Sequence, residues 1–156
     1  MMEGCFVING IEKKCTFEPD AMLLQVLRDG GHSEVKRGCD TGECGACAVV
    51  LNGELVNSCK VFAASVVGAE IVTVQGLGTV HRPHVIQQAF VDAGAVQCGF
   101  CTPGMILATY SLLSQNPDPS DQEIRKALDG NKCRCSGYVK IFDAVHLAAE
   151  RMRDHG

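Results

Sequence analysis

The sequence has 156 residues, enough for one domain or two small ones, and its 46% of apolar residues supports a packed core without cross-links. A net charge of −4, with the acidic residues scattered, excludes the basic footprint of a nucleic-acid binder. Ten cysteines set the chain apart. The N-terminus, Met1-Met2-Glu3-Gly4-Cys5, lacks the basic and apolar segments of a secretory signal, and no apolar stretch approaches membrane-spanning length. A cytoplasmic protein is expected, in which clustered cysteines bind metal rather than one another.

In chain order, Cys5-Phe6-Val7-Ile8 and Ile11 to Phe17 flank Asn9-Gly10, a dipeptide that favours a type I′ hairpin turn. Met22, Leu23, Val26 and Leu27 share one face of a helix that Gly30-Gly31 stops. Ala46 to Leu51 and Leu55 to Cys59 flank a second Asn-Gly turn at Asn52-Gly53, and Glu70 to Gln75 supplies a further strand. The second half is helical. Pro83 opens a helix to about Ala93, and Pro103 stands in the first turn of another that Asn116-Pro117-Asp118-Pro119 breaks. Ser120-Asp121-Gln122-Glu123 is a capping box for a third helix ended by Gly130, and a last one runs from about Val139 to Met152. The expected class is α+β: a β-rich domain over 1–76, a linker over 77–82 and a helical domain over 83–156.

The cysteines fall into two sets. Cys39, Cys44 and Cys47 follow the C-x4-C-x2-C spacing, with Cys59 further on, which is the plant-type [2Fe–2S] pattern. Gly38, Gly42 and Gly45 allow positive φ and close approach of backbone amides to the sulfurs. A zinc site, usually built from paired C-x2-4-C knuckles, fits this loop poorly. The second set is Cys98-Gly99-Phe100-Cys101 and Cys133-Arg134-Cys135. On spacing alone it suits zinc, a redox dithiol or a cluster. Each pair precedes a helix start, where the positive end of the dipole favours thiolates. Paired across the first hairpin, Cys5 faces Lys14 and Cys15 faces Gly4, so those two thiols lie on opposite sheet faces and form no disulfide. His32, His81, His84, His146 and His155 lack metal-ligand spacing and read mostly as surface or helix residues. No phosphate-binding glycine loop or nucleophile–base motif is present.

Longer strings narrow the reading. Gly38-Cys39 through Cys44-Gly45-Ala46-Cys47 resembles the first cluster motif of the molybdenum hydroxylases. Gln97-Cys98-Gly99-Phe100-Cys101-Thr102-Pro103-Gly104-Met105, with Gly130-Asn131-Lys132-Cys133-Arg134-Cys135-Ser136-Gly137-Tyr138, is similar to the second, and the resemblance spans nearly the whole chain. It implies the small iron–sulfur subunit of that family (xanthine dehydrogenase and aldehyde oxidoreductase among them): a ferredoxin-like β-grasp domain, then a four-helix [2Fe–2S] domain. It implies two [2Fe–2S] clusters, one on Cys39, Cys44, Cys47 and Cys59 nearer a flavin, one on Cys98, Cys101, Cys133 and Cys135 nearer molybdenum. Gln97 and Cys135 would approach the molybdopterin of a large partner subunit, and a medium subunit would carry FAD. A heterotrimer or a dimer of heterotrimers follows. Xanthine or another purine is the expected substrate, with nicotinate, aldehydes and other N-heterocycles open. The chain departs from the pattern at Ala48, Lys132 and Ser136, where threonine, leucine and threonine are common, and none is expected to touch a ligand. A free-standing two-cluster ferredoxin is the alternative, disfavoured by Gln97 and an expected burial of the second cluster.

Overall fold

The computed structural model describes residues 1–156. Strands β1 (Met2–Ile8) and β2 (Ile11–Phe17) form an antiparallel hairpin about Asn9 and Gly10, whose φ values of 51° and 80° are those a type I′ turn demands. Cys5 pairs with Lys14 and Gly4 with Cys15, the expected register, and both cysteines are free. Helix α1 (Leu23–Asp29) buries Leu23, Leu24, Val26 and Leu27. Strands β3 (Ala48–Leu51) and β4 (Glu54–Asn57) turn at Asn52-Gly53, and β5 (Glu70–Val72) enters the middle of the sheet. The order is β2-β1-β5-β3-β4, with β5 parallel to β1 and antiparallel to β3. Phe6, Ile8, Phe17, Val49 and Ile71 form the core with α1.

The continuous apolar run of β3 has a packing reason. Val49 enters the N-terminal core, while Ala48 and Val50 are buried too, on the opposite face, where a helix of the second half packs. That helix is α4 (Thr102–Gln115). It follows α2 (Val74–Leu77) and α3 (Val85–Asp92) and precedes α5 (Asp121–Leu128) and α6 (Val139–Asp154). Ile86, Phe90, Met105, Ile124, Ile141 and Val145 are buried between α3, α4, α5 and α6, which gives the four-helix domain expected. Ser120 accepts from Glu123 N–H, and the Glu123 carboxylate accepts from Ser120 N–H, so the capping box forms as written in the sequence. No helix is long and apolar enough to cross a membrane.

Three local expectations need correction. The strand expected over Glu70 to Gln75 ends at Val72, because Thr73 becomes the N-cap of α2 and Val74 turns into it. Cys59 is not in a strand: β4 stops at Asn57, and Ser58–Lys60 is a 3-10 turn. Pro83 does not open α3; His84 caps it, in a reciprocal pair with Gln87.

His32 is no surface residue either. It is 8% exposed, beside the equally buried Glu34. Lys13 Nζ, which has only donors, lies 3.0 Å from His32 Nε2, so Nδ1 carries the proton donated to Glu34 Oε1 at 2.9 Å. Thr73 Oγ1 donates to the same carboxylate oxygen at 2.7 Å, and Asn9 Nδ2 donates to Thr73 Oγ1 at 2.9 Å. This chain of bonds pins the exit of β5 to the β1–β2 turn and so fixes where the helical half begins. Burial alone would raise the Glu34 pKa, but the bonds from Thr73 and His32 outweigh it and hold the carboxyl below its usual value. A carboxyl lowered on folding contributes stability that is present above its unfolded pKa and lost as the pH falls through the folded one. Glu34→Gln is therefore expected to destabilise the protein by about 1–3 kcal/mol at neutral pH and to flatten its acid-side loss of stability. Urea denaturation between about pH 4 and 7 reads both effects; an unchanged pH slope would refute the role given to Glu34.

Candidate metal centres

Cys39, Cys44 and Cys47 lie on the loop between α1 and β3, and Cys59 on the 3-10 turn after β4. Cys47 and Cys59 are buried, Cys39 and Cys44 partly so. The loop turns its amides onto the sulfurs: Thr41 and Cys44 N–H donate to Cys39 Sγ at 3.4 Å, and Ala46 N–H to Cys44 Sγ at 3.5 Å. Two of the three expected glycines have positive φ, Gly42 at 84° and Gly45 at 72°. Gly38 is different. It needs room rather than φ, since a Cβ there would sit 2.6 Å from Cys44 Sγ.

Cys98 and Cys101 lead into α4, with Cys101 as its N-cap, and Cys133 and Cys135 lie on the loop before α6. Cys101 and Cys133 interact side chain to side chain, as do Cys98 and Cys135. The loops bring all four together from stretches more than thirty residues apart. The site is not buried in this chain, contrary to expectation: Cys98 and Cys135 are exposed, with Gln97 and the 45%-exposed Phe100 beside them. Nor do the departures from the family pattern avoid the cysteines. Ser136 Oγ donates to Cys133 Sγ at 3.2 Å, a contact made when the loop folds back toward α6. Tyr138, at φ 71°, accepts from Cys133 N–H at 2.9 Å through its phenol oxygen. Neither contact has a spacing signal in the sequence.

The donor set fits dinuclear iron better than a single ion. The thiols meet in pairs, Cys47 with Cys59, Cys101 with Cys133 and Cys98 with Cys135, as two irons with two thiolates each require. Within each set one thiol ionises readily and others resist. The Thr41 hydroxyl, with the Thr41 and Cys44 amides, lowers Cys39 to about 6. Burial opposes ionisation of Cys133, but the hydroxyl and amide of Ser136 bring it to about 7. Burial and then the neighbouring thiol push Cys59 up to about 11, beside Cys47, and Cys101 up to about 12, beside Cys133. Four thiolates this close need cationic metal to neutralise them.

The two loops meet back to back. Asn131 Nδ2 donates to Gly45 O at 3.2 Å, and Lys132 N–H donates to Cys44 O at 3.0 Å. One hydrogen bond thus joins Cys44 of the first set to the residue preceding Cys133 of the second. A Cβ on Gly45 would sit 2.3 Å from Gly130 O, so no side chain fits in this seam. Gly45→Ala is expected to cost about 2 kcal/mol or more, through strain and clash, and to lower the bound iron per chain. Chemical denaturation and iron analysis check it.

Residues 6–71 match the model of a 2Fe-2S iron-sulfur cluster binding domain, and residues 73–146 that of a [2Fe-2S] binding domain. The chain is 49% identical over 145 residues to the nicotinate dehydrogenase small FeS subunit of Eubacterium barkeri, covering 92% of each chain. It is 43% identical over 140 residues to the xanthine dehydrogenase iron-sulfur-binding subunit of Escherichia coli O157:H7, covering 88% of each. Among solved structures, the aldehyde oxidoreductase from Desulfovibrio desulfuricans superposes with a TM-score of 0.95 at 37% identity. That match covers 99% of this chain and 17% of the longer one.

Proposed function

This chain belongs to the family of small [2Fe–2S] subunits of the molybdenum hydroxylases, and from that premise we propose that it passes electrons singly between two partner cofactors. They enter from a molybdopterin-bearing large subunit at the centre held by Cys98, Cys101, Cys133 and Cys135. They leave from the centre held by Cys39, Cys44, Cys47 and Cys59 to a medium subunit bearing FAD, or directly to an acceptor. Each [2Fe–2S] group supplies one-electron redox chemistry when bound; the residues of the chain hold it, orient it and set its potential. One centre per domain underlies the division into 1–76, the linker 77–82 and 83–156.

The observation that carries this reading is the hydrogen bond from Lys132 N–H to Cys44 O at 3.0 Å. Through it the backbone runs from a ligand of one centre to a ligand of the other without crossing solvent. The exposed rim of Gln97, Cys98, Phe100 and Cys135 supports a partner at the second centre, with Gln97 and Cys135 nearest its pterin. A freely diffusing ferredoxin would leave that rim open to water and oxidants. Complexes of one copy of each subunit, single or paired, in the cytoplasm complete the proposal.

The substrate is an N-heteroaromatic ring hydroxylated on the large subunit. The 49% identity to a nicotinate dehydrogenase subunit favours a nicotinate-like ring over the purine expected from the family resemblance, for which the corresponding figure is 43%. The test is purification of the chain with its partners, followed by metal analysis, EPR and turnover of nicotinate, xanthine and aldehydes. Cys135→Ser is expected to abolish or grossly alter the second EPR signal while leaving the first. Two signals unchanged in that variant would sink the ligand assignment; a monomer that elutes without molybdenum would favour the ferredoxin reading.

A further inference from the structure

The loop between Cys133 and α6 aims a hydroxyl at a sulfur. Ser136 approaches Cys133 Sγ twice, through Oγ at 3.2 Å and through its N–H at 3.4 Å. Its surroundings fix the direction of the hydroxyl proton. Tyr138 N–H donates to Ser136 Oγ at 3.2 Å, and Cys133 Sγ is the acceptor on the other side. Tyr138 is itself held, by its left-handed backbone and by the bond its phenol oxygen accepts from Cys133 N–H. Cys133, Ser136 and Tyr138 therefore close a small ring of hydrogen bonds. The first centre has no such closed ring. There the Thr41 hydroxyl, which lowers Cys39, also donates to the Glu43 carboxylate at 3.0 Å, so it is shared with a charged oxygen.

We propose that Ser136 is a positioning residue that raises the reduction potential of the second centre by donating its hydroxyl hydrogen bond to Cys133 Sγ. The role rests on Cys133 being a ligand of that centre. One-electron reduction adds negative charge to the irons and their sulfurs, so a donor held on one sulfur stabilises the reduced form more than the oxidised one. The electron comes from the substrate-oxidising partner and moves on to the first centre, so no other reactant is involved. Ser136 makes the second centre a better acceptor from that partner. The hydroxyl is the requirement, which a threonine would also meet.

The assembled complex provides the test, since EPR-monitored redox titration reads the two centres separately. Ser136→Ala is expected to retain iron and to move the second midpoint to lower potential. At the wild-type midpoint its reduced-to-oxidised ratio falls about tenfold, which for a one-electron couple is 59 mV. The first midpoint stays in place, and Ser136→Thr restores the second. An unmoved midpoint in iron-replete Ser136→Ala, or an equal shift in Ser136→Thr, overturns the proposal. Brief transfer of the wild-type complex into D2O gives a second readout that needs no variant. A rapidly exchanging deuteron coupled to the second EPR signal is expected, and its absence overturns the proposal even where Ser136→Ala loses iron. A wild-type complex with no second signal would instead remove the ligand assignment beneath it.

Discussion

Two cysteine loops from separate domains lie back to back, and their backbones touch because nothing stands between them. Gly45 has no Cβ to strike Gly130 O, and Gly104 at the start of α4 has none to strike Gly45 O. Into this gap the buried amide of Asn131 donates to Gly45 O, and Lys132 N–H meets Cys44 O. A buried carbonyl left unpaired costs about 1–3 kcal/mol, so these bonds reward the close approach and penalise separation. The packing of α4 on the outer face of β3 holds the two halves in the same relation.

The electrostatics of the two sites follow from crowding sulfur into small spaces. Neighbouring thiols and burial resist ionisation at Cys59 and Cys101, while hydrogen-bond donors ease it at Cys39 and Cys133. Cationic iron held by these thiols would reverse the first effect, and the donors would remain to modulate its charge. The environments are unequal. Cys47 and Cys59 are enclosed under the sheet domain, whereas Cys98 and Cys135 face outward. An electron carrier between fixed partners suits that asymmetry, with one centre presented at a rim and the other sheltered behind the seam.

Local chemistry was legible wherever a few adjacent residues decide the outcome. Asn9-Gly10 and Asn52-Gly53 made their turns, and Ser120 with Glu123 made its capping box. Pro103 in the first turn of α4 and the helix over Val139–Asp154 also matched their sequence signals. Errors arose where distant residues compete for a local group. Thr73 left the strand pattern because Asn9 and Glu34, far away in sequence, take its backbone and hydroxyl. His32 looked like a surface residue because nothing in its neighbourhood announces that Lys13 will lie against it.

The sequence by itself determined the sets of cysteines, the glycine-laced loop around the first, and the division into a β-rich and a helical half. These depend on spacing, turn chemistry and periodicity, which are properties of short stretches. Only the tertiary structure decided that Gly38 is there for space, that the second site opens at the surface, and that Ser136 reaches Cys133. It also decided that the backbone of Lys132 links the two cysteine loops. Each of these is a relation between atoms brought together by the packing of distant elements or the folding back of a loop. No spacing rule encodes such a meeting, because its distance is set by the whole fold and not by the residues in between.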